Sequence, residues 1–206
     1  YGDGQPRHRR HDLPLLRREI PAATERLEKA VCGVRDAELG TAEQQHARLA
    51  ARQRCQEGLQ LHPFIRHVGL ANFGEIFLNP ELKEIIACSA QKNVTLSASV
   101  GVNLNTVEDD VLEALVKYRF ESMVVSIDGA DQEAYAAYRR GGDFQKVIDN
   151  IKKINRLKQQ YQSRFPVLCW QFIVFGHNEH QITDARQLAQ SLNMKFMLKL
   201  KSESAF

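Results

Sequence analysis

Cysteine and tryptophan are scarce in this 206-residue chain, with four of the first and one of the second. Cys32, Cys55, Cys88 and Cys169 stand far apart and no CxxC or CxxxC spacing occurs. That pattern offers neither a disulfide framework nor a ready-made metal knuckle. Charge of one sign is also lacking, since 28 Lys+Arg against 25 Asp+Glu leave a formal charge of +3. Overall charge therefore gives no reason to expect a nucleic-acid or membrane partner, and neither is expected. No apolar run approaches the roughly 18 residues of a membrane span, and the Arg- and His-rich start has no apolar signal-peptide region. The expectation is a soluble, cytoplasmic protein. What is present is 43% hydrophobic sequence, enough to fill the core of one domain with or without an appendage.

The composition changes near residue 60. Up to Gln60 there are ten Arg, one Lys, no Asn and one Ile, whereas from Leu61 there are seven Arg, ten Lys and nine Asn. Helical stretches are readable at Thr24 to Val31 and Thr41 to Arg54, but their apolar stripes are thin and pack weakly. Residues 1–60 are read as a segment of uncertain origin, partly helical or disordered, with a disordered start through His11. A basic binding arm is disfavoured because 11 bases face 9 acids there. Residues 61–206 form the second unit.

From Leu61 short β-rich runs alternate with helical patterns. The runs are Ile65 to Leu70, Val94 to Ser99, Ser122 to Ile127, Val167 to Phe175 and Lys195 to Leu200. Asn79-Pro80-Glu81 supplies an N-cap and a first-turn proline. Thr106 with Asp109 resembles a capping box, and Asp143 can cap a long helix striped by Val147, Ile148, Ile151 and Ile154. The stripe Ile182, Ala185, Leu188, Ala189 and Leu192 marks the last helix. Repeated strand-helix-strand implies parallel βαβ units with right-handed crossovers. The almost wholly apolar run Met123 to Ile127 further predicts helical cover on both faces.

In parallel α/β folds ligands collect at the carboxyl ends of the strands. Those ends read Asn72-Phe73-Gly74-Glu75, Ser99-Val100-Gly101, Ser126-Ile127-Asp128-Gly129, Gly176-His177-Asn178 and Lys199. Glycines permit close backbone approach, Glu75 can accept from an ammonium, and Ser126 or Asp128 can hydrogen-bond ribose hydroxyls. Tyr138-Arg139-Arg140-Gly141-Gly142-Asp143 adds a cation suited to carboxylate or phosphate.

In this order, GEIFLNPELKEII, SASVGVNLNT, VVSIDGADQEAYAAYRRGGDFQKVIDNIKKIN and QFIVFGHNEH resemble the core of radical S-adenosylmethionine (radical SAM) enzymes, in particular those that carry a SPASM extension. The resemblance covers about Leu61 to Lys201. It implies an α/β fold, a partial TIM-like (βα)6 barrel incomplete at its N-terminal βα unit. It implies S-adenosylmethionine and a 4Fe-4S cluster as cofactors, with reductive cleavage starting radical chemistry on a substrate that the residues leave unidentified, a peptide or protein among the candidates. Carried over residue by residue, the motif that holds the methionyl amino group falls on Phe73, Gly74 and Glu75, with Phe73 replacing the usual glycine. The ribose motif falls on Ser126 and Asp128, and Arg139 is matched to the cofactor carboxylate. Ser99-Val100-Gly101 stands where the family has a TNG-like triplet, and Val100 cannot supply the hydrogen bonds of an Asn side chain.

The family's CxxxCxxC motif is absent, and Fe–S ligation needs clustered thiolates. The expectation is that this chain assembles no cluster and carries no catalytic or metal-ligating residue, as a truncated or inactive copy. The alternative is a domain that lost catalysis and kept an adenosyl- or peptide-binding role. Without a preceding strand, Ile65 to Leu70 is expected to be a sheet edge unless the N-terminal segment covers it. His177 and His180 around Glu179 admit a rival metal reading, but the spacing departs from i, i+4 and no third ligand is evident. The preferred reading is a strand-to-helix loop capped by Asn178.

Overall fold

The computed structural model describes residues 53, 55–70 and 74–200. The stretch Thr24 to Val31, the stretch Thr41 to Arg54 apart from the helical Gln53, the disordered start, Cys32, Asn72 and Phe73 lie outside the described residues. Strands β1 (His67–Leu70), β2 (Thr95–Val102), β3 (Ser122–Ser126), β4 (Val167–Val174) and β5 (Lys195–Leu200) form one parallel sheet in sequence order. Between them run α1 (Leu82–Gln91), α2 (Asp109–Lys117), α3 (Gln132–Tyr138), α4 (Phe144–Gln160) and α5 (Ile182–Ser191). A sheet whose neighbours are consecutive strands, joined by right-handed crossovers, receives all its helices on the same face. It curls as part of a barrel wall and stays open, with β1 as one edge among the described residues.

This corrects the expectation of helices on both faces. Residues at alternate positions share a face. The set Leu70, Ala98, Met123, Val125, Trp170 and Phe172 is buried under the helices, together with Ile85, Leu112, Ile148 and Ile151. The opposite set is Ser97, Val124, Ser126, Cys169, Gln171 and Ile173, partly polar and in part half-buried. The apolar run in β3 therefore reflects a packed outer face and a half-covered inner one.

Local signals in the sequence coincide with the structure in some places and are displaced in others. Asp143 accepts from the Lys146 amide at 2.9 Å and caps α4 as its sequence indicates. Helix α2 starts two residues later than the Thr106 cap implies, with Glu108 at its N-cap and no side-chain cap bond. Asn79 accepts from the Glu81 amide at 2.8 Å in the turn before α1, whose own N-cap is Glu81. Helix α3 has no apolar periodicity that marks it in the sequence, although Asp131 caps it through the Ala134 amide at 2.9 Å. Residues 55–61, upstream of the compositional change, are helical and contribute Cys55 and Leu59 to the core.

Candidate functional site

The carboxyl ends of β1, β2, β3 and β4 bring most of the sequence-selected residues to one rim. Gly74 follows β1 at φ +105°, a backbone region that L side chains rarely adopt. Among the described residues no atom crowds its missing Cβ, and the conformation selects glycine there. That turn delivers Glu75 to the N-cap of the short 3-10 turn Ile76–Leu78. One carboxylate oxygen accepts from the Phe77 amide at 3.2 Å and the other from the Asn103 amide, just beyond β2, at 2.7 Å. Glu75 thus ties two strand ends together. Burial pushes its pKa up, opposed by these backbone donors and by the Arg139 charge.

At the end of β2 four residue steps, Ala98 to Val102, span only two on β3, Met123 to Val125. The surplus is a bulge that carries Ser99, Val100 and Gly101. Ser99 and Val100 are exposed. Gly101, at φ +92°, leans on Ser126 so closely that a Cβ would come within 2.4 Å of the Ser126 hydroxyl. Ser126 is buried and Gln171 Nε2 lies 3.4 Å from its Oγ.

Asp128 is fully buried, yet both carboxylate oxygens have partners: Oδ2 takes Arg139 Nε at 2.8 Å and Oδ1 takes the Ile173 amide at 2.8 Å. It is held by β4 and in turn holds Arg139, whose guanidinium lies over the Tyr138 ring at 5.2 Å. Pairing through Nε leaves the two terminal amino groups of Arg139 outside that ion pair. The loop after α3 is fixed by Tyr135, a fully buried ring whose hydroxyl accepts from Asn105 at 2.6 Å. Gly142 is required beside it, because a Cβ would meet that ring at 2.6 Å.

Several residues that shape this rim carried no functional signal in the sequence. Gln181 accepts from the Ala130 amide at 2.8 Å and donates to Asp131, and Asn105 accepts from the Asp143 amide at 2.7 Å. Only contacts across 30 to 51 residues of chain reveal them. Asn178 stands at the N-cap of the turn Glu179–Gln181 but its side chain caps nothing. It accepts from the Phe175 amide at 2.8 Å and donates to the carbonyls of Asp128 and Ile173 at 2.9 and 3.0 Å. His177 and His180 are exposed, and His177 stacks on Phe175 at 5.5 Å. Lys199 is exposed on β5 beside Ile173.

The donor set can be compared with the two groups that the resemblance implies. For the amino acid end of S-adenosylmethionine the rim offers a carboxylate and a guanidinium close enough to interact electrostatically. For an Fe–S cluster the thiols do not fit: Cys55 and Cys88 are buried together in helix packing and Cys169 is half-buried on the inner face of β4. Among the described residues no three His, Cys, Asp or Glu side chains gather as metal ligands. Nor is any described helix long and apolar enough to cross a membrane.

The chain is similar in fold to SuiB from Streptococcus suis. That structure matches with a TM-score of 0.56 at 13% identity, over 100% of this chain and 47% of SuiB. SuiB bound to precursor peptide SuiA gives 0.55 at 13%, and SuiB bound to S-adenosylmethionine 0.55 at 12%, each over 98% of this chain and 48% of the other. This chain therefore spans about half the length of the solved structures it matches. No curated protein matches it. The model of the radical SAM superfamily matches residues 56–189, from within the helical segment before β1 into α5. With its strand-end motifs on a partial barrel and most of its length matched, the chain belongs to the radical SAM superfamily.

Proposed function

We propose that this chain binds S-adenosylmethionine at the carboxyl rim of its sheet without cleaving it, and that a peptide or protein is the class of molecule it acts with. The observation that carries this reading is Arg139, fixed by buried Asp128 and close enough to Glu75 to influence its ionisation. In this reading Glu75 accepts from the methionyl ammonium and the terminal amino groups of Arg139 donate to the carboxylate. Gly74 sets the turn that presents Glu75, and Ser99 and Ser126 serve the ribose side. Asp128, with both oxygens engaged, acts through Arg139. Bound to a cluster, S-adenosylmethionine supplies a radical in this family. The thiols described above do not fit one and the chain has no CxxxCxxC, so no step is derived through it. Support for a peptide comes from the fold likeness to SuiB, which has been solved with precursor peptide SuiA.

Isothermal titration with S-adenosylmethionine and with 5′-methylthioadenosine, which lacks the amino and carboxylate groups, tests the rim. Glu75→Gln and Arg139→Ala should each weaken S-adenosylmethionine binding by about tenfold or more, roughly 1.4 kcal/mol, and leave 5′-methylthioadenosine unchanged. Because burial raises the Glu75 pKa, binding should fall with decreasing pH from a point above the ordinary carboxylate value. An unaltered affinity in Glu75→Gln would remove the assignment. Stoichiometric 4Fe-4S absorbance after anaerobic reconstitution, with release of 5′-deoxyadenosine, would refute the non-cleaving role.

A further inference from the structure

Beside the cofactor residues, the rim carries a row of stacked side chains that S-adenosylmethionine binding does not use. Tyr138, the last residue of α3, meets Phe175, just past β4, with ring centroids 4.4 Å apart and planes inclined by 39°. His177 lies nearly parallel to Phe175, at 5.5 Å and 12°. On the Tyr138 side the row continues with the Arg139 guanidinium, 5.2 Å from the ring centroid. The row thus joins the end of α3 to the loop after β4.

The row is fixed at both ends and left open to solvent. The Phe175 carbonyl accepts from the Asn178 and Glu179 amides, both at 3.1 Å, and the Phe175 amide donates to Asn178 Oδ1 at 2.8 Å. At the α3 end the Arg139 amide donates to the Tyr135 carbonyl at 2.9 Å. Yet Tyr138 is 47% exposed and His177 is exposed as well. The stack with Phe175 uses one face of His177, and among the described residues no second ring covers it. Rings already held in place offer contact area at a low ordering cost.

Resting on the peptide reading above, we propose that this row docks an acidic peptide segment, one aromatic side chain of which stacks on His177 and lengthens the row. The surrounding charge selects the acidic class. Arg140, next to Arg139, is exposed and makes no ion pair among the described residues, whereas Arg139 is offset by Asp128. Lys199 is exposed on β5 in register with Ile173, two residues before Phe175. Glu179 is the one acid in the loop 175–180. Carboxylates on either side of the incoming ring therefore meet Arg140 and Lys199. Rings beside cations also stack unpaired bases. A formal charge of +3 and two such cations give a phosphate backbone little to hold, so the peptide is favoured.

The test is saturation-transfer NMR and isothermal titration of the full chain with four probes. Three are capped heptapeptides: Ser-Glu-Glu-Phe-Glu-Glu-Ser, the same with Leu for Phe, and the first with Lys for every Glu. The fourth is a short single-stranded oligodeoxyadenylate. The Phe peptide should bind at least fivefold more tightly than the Leu peptide, and the Lys peptide should not bind. His177→Ala should erase the preference for Phe while S-adenosylmethionine affinity stays unchanged. Should that variant disturb the loop, His177→Gln gives the same reading. Arg140→Ala should weaken both acidic peptides severalfold and keep the preference. Peptide binding indifferent to His177→Ala would overturn the platform and leave the peptide reading standing. Binding of the oligodeoxyadenylate alone would overturn both. Binding of no probe, or loss of S-adenosylmethionine affinity in His177→Ala, would also overturn the platform, the second by assigning the rings to the cofactor.

Discussion

Asn178 accepts one backbone amide and donates to two carbonyls, those of Asp128 and Ile173, while fully buried. It fixes the ends of β3 and β4 relative to each other, and the Asp128 that it positions holds Arg139. Asn178→Ala would leave one donor and two acceptors unpaired in a dry environment, each costing about 1–3 kcal/mol before any water enters. Urea unfolding should show a loss of about 3 kcal/mol. The sequence places Asn178 in a turn and supports a cap there, because asparagine commonly caps. Its actual partner, the Asp128 carbonyl, is 50 residues away, and nothing local to either residue marks the pair. Asp128 presents the same difficulty: an aspartate after a strand reads as a ligand contact, and only the fold shows that its carboxylate is already engaged.

Among the described residues, α1, α2, α4 and α5 end identically. Asn93, Arg119, Gln162 and Asn193 follow α1, α2, α4 and α5 at φ between 48° and 56°. In each case the amide of that residue and the next bond back to the last turn, as in Val94 N to Ser89 O and Phe120 N to Leu115 O. This is the Schellman closure, here built without glycine. Asparagine tolerates the left-handed region better than arginine or glutamine, for which it costs about 1–2 kcal/mol. Arg119→Gly and Gln162→Gly should therefore stabilise the protein by about 0.5–1 kcal/mol once the extra chain entropy of glycine is subtracted, and Asn93→Gly should be nearly neutral. Guanidinium unfolding measures the difference. Strand and long-helix positions were legible because their periodicity is local. Helix α3, only seven residues long, is not legible because Gly129 and the YRRGG run flanking it look like continuous loop. There the tight packing of Gly129 against the backbone of Tyr135, where a Cβ would come within 2.4 Å, decides the matter.

At the scale of the molecule the core is one-sided and thins toward β5. Phe172 and Leu198 are partners in register on adjacent strands, yet the first is fully buried and the second 42% exposed. Phe172→Ala should cost about 3–5 kcal/mol, whereas Leu198→Lys should stay within about 0.5 kcal/mol, a contrast that thermal unfolding of the two variants will register. The apolar run of β3 concealed this asymmetry, because side-chain polarity reports that a position prefers burial but not which neighbour provides it. The sequence alone determined the parallel βα order, the rim to inspect, the resemblance to radical SAM cores and the missing CxxxCxxC, since each depends on residue type and spacing along the chain. The tertiary structure decided that the helices share one face and that Asp128 supports Arg139. These depend on which distant segments come into contact, and contact is set by packing of the whole chain.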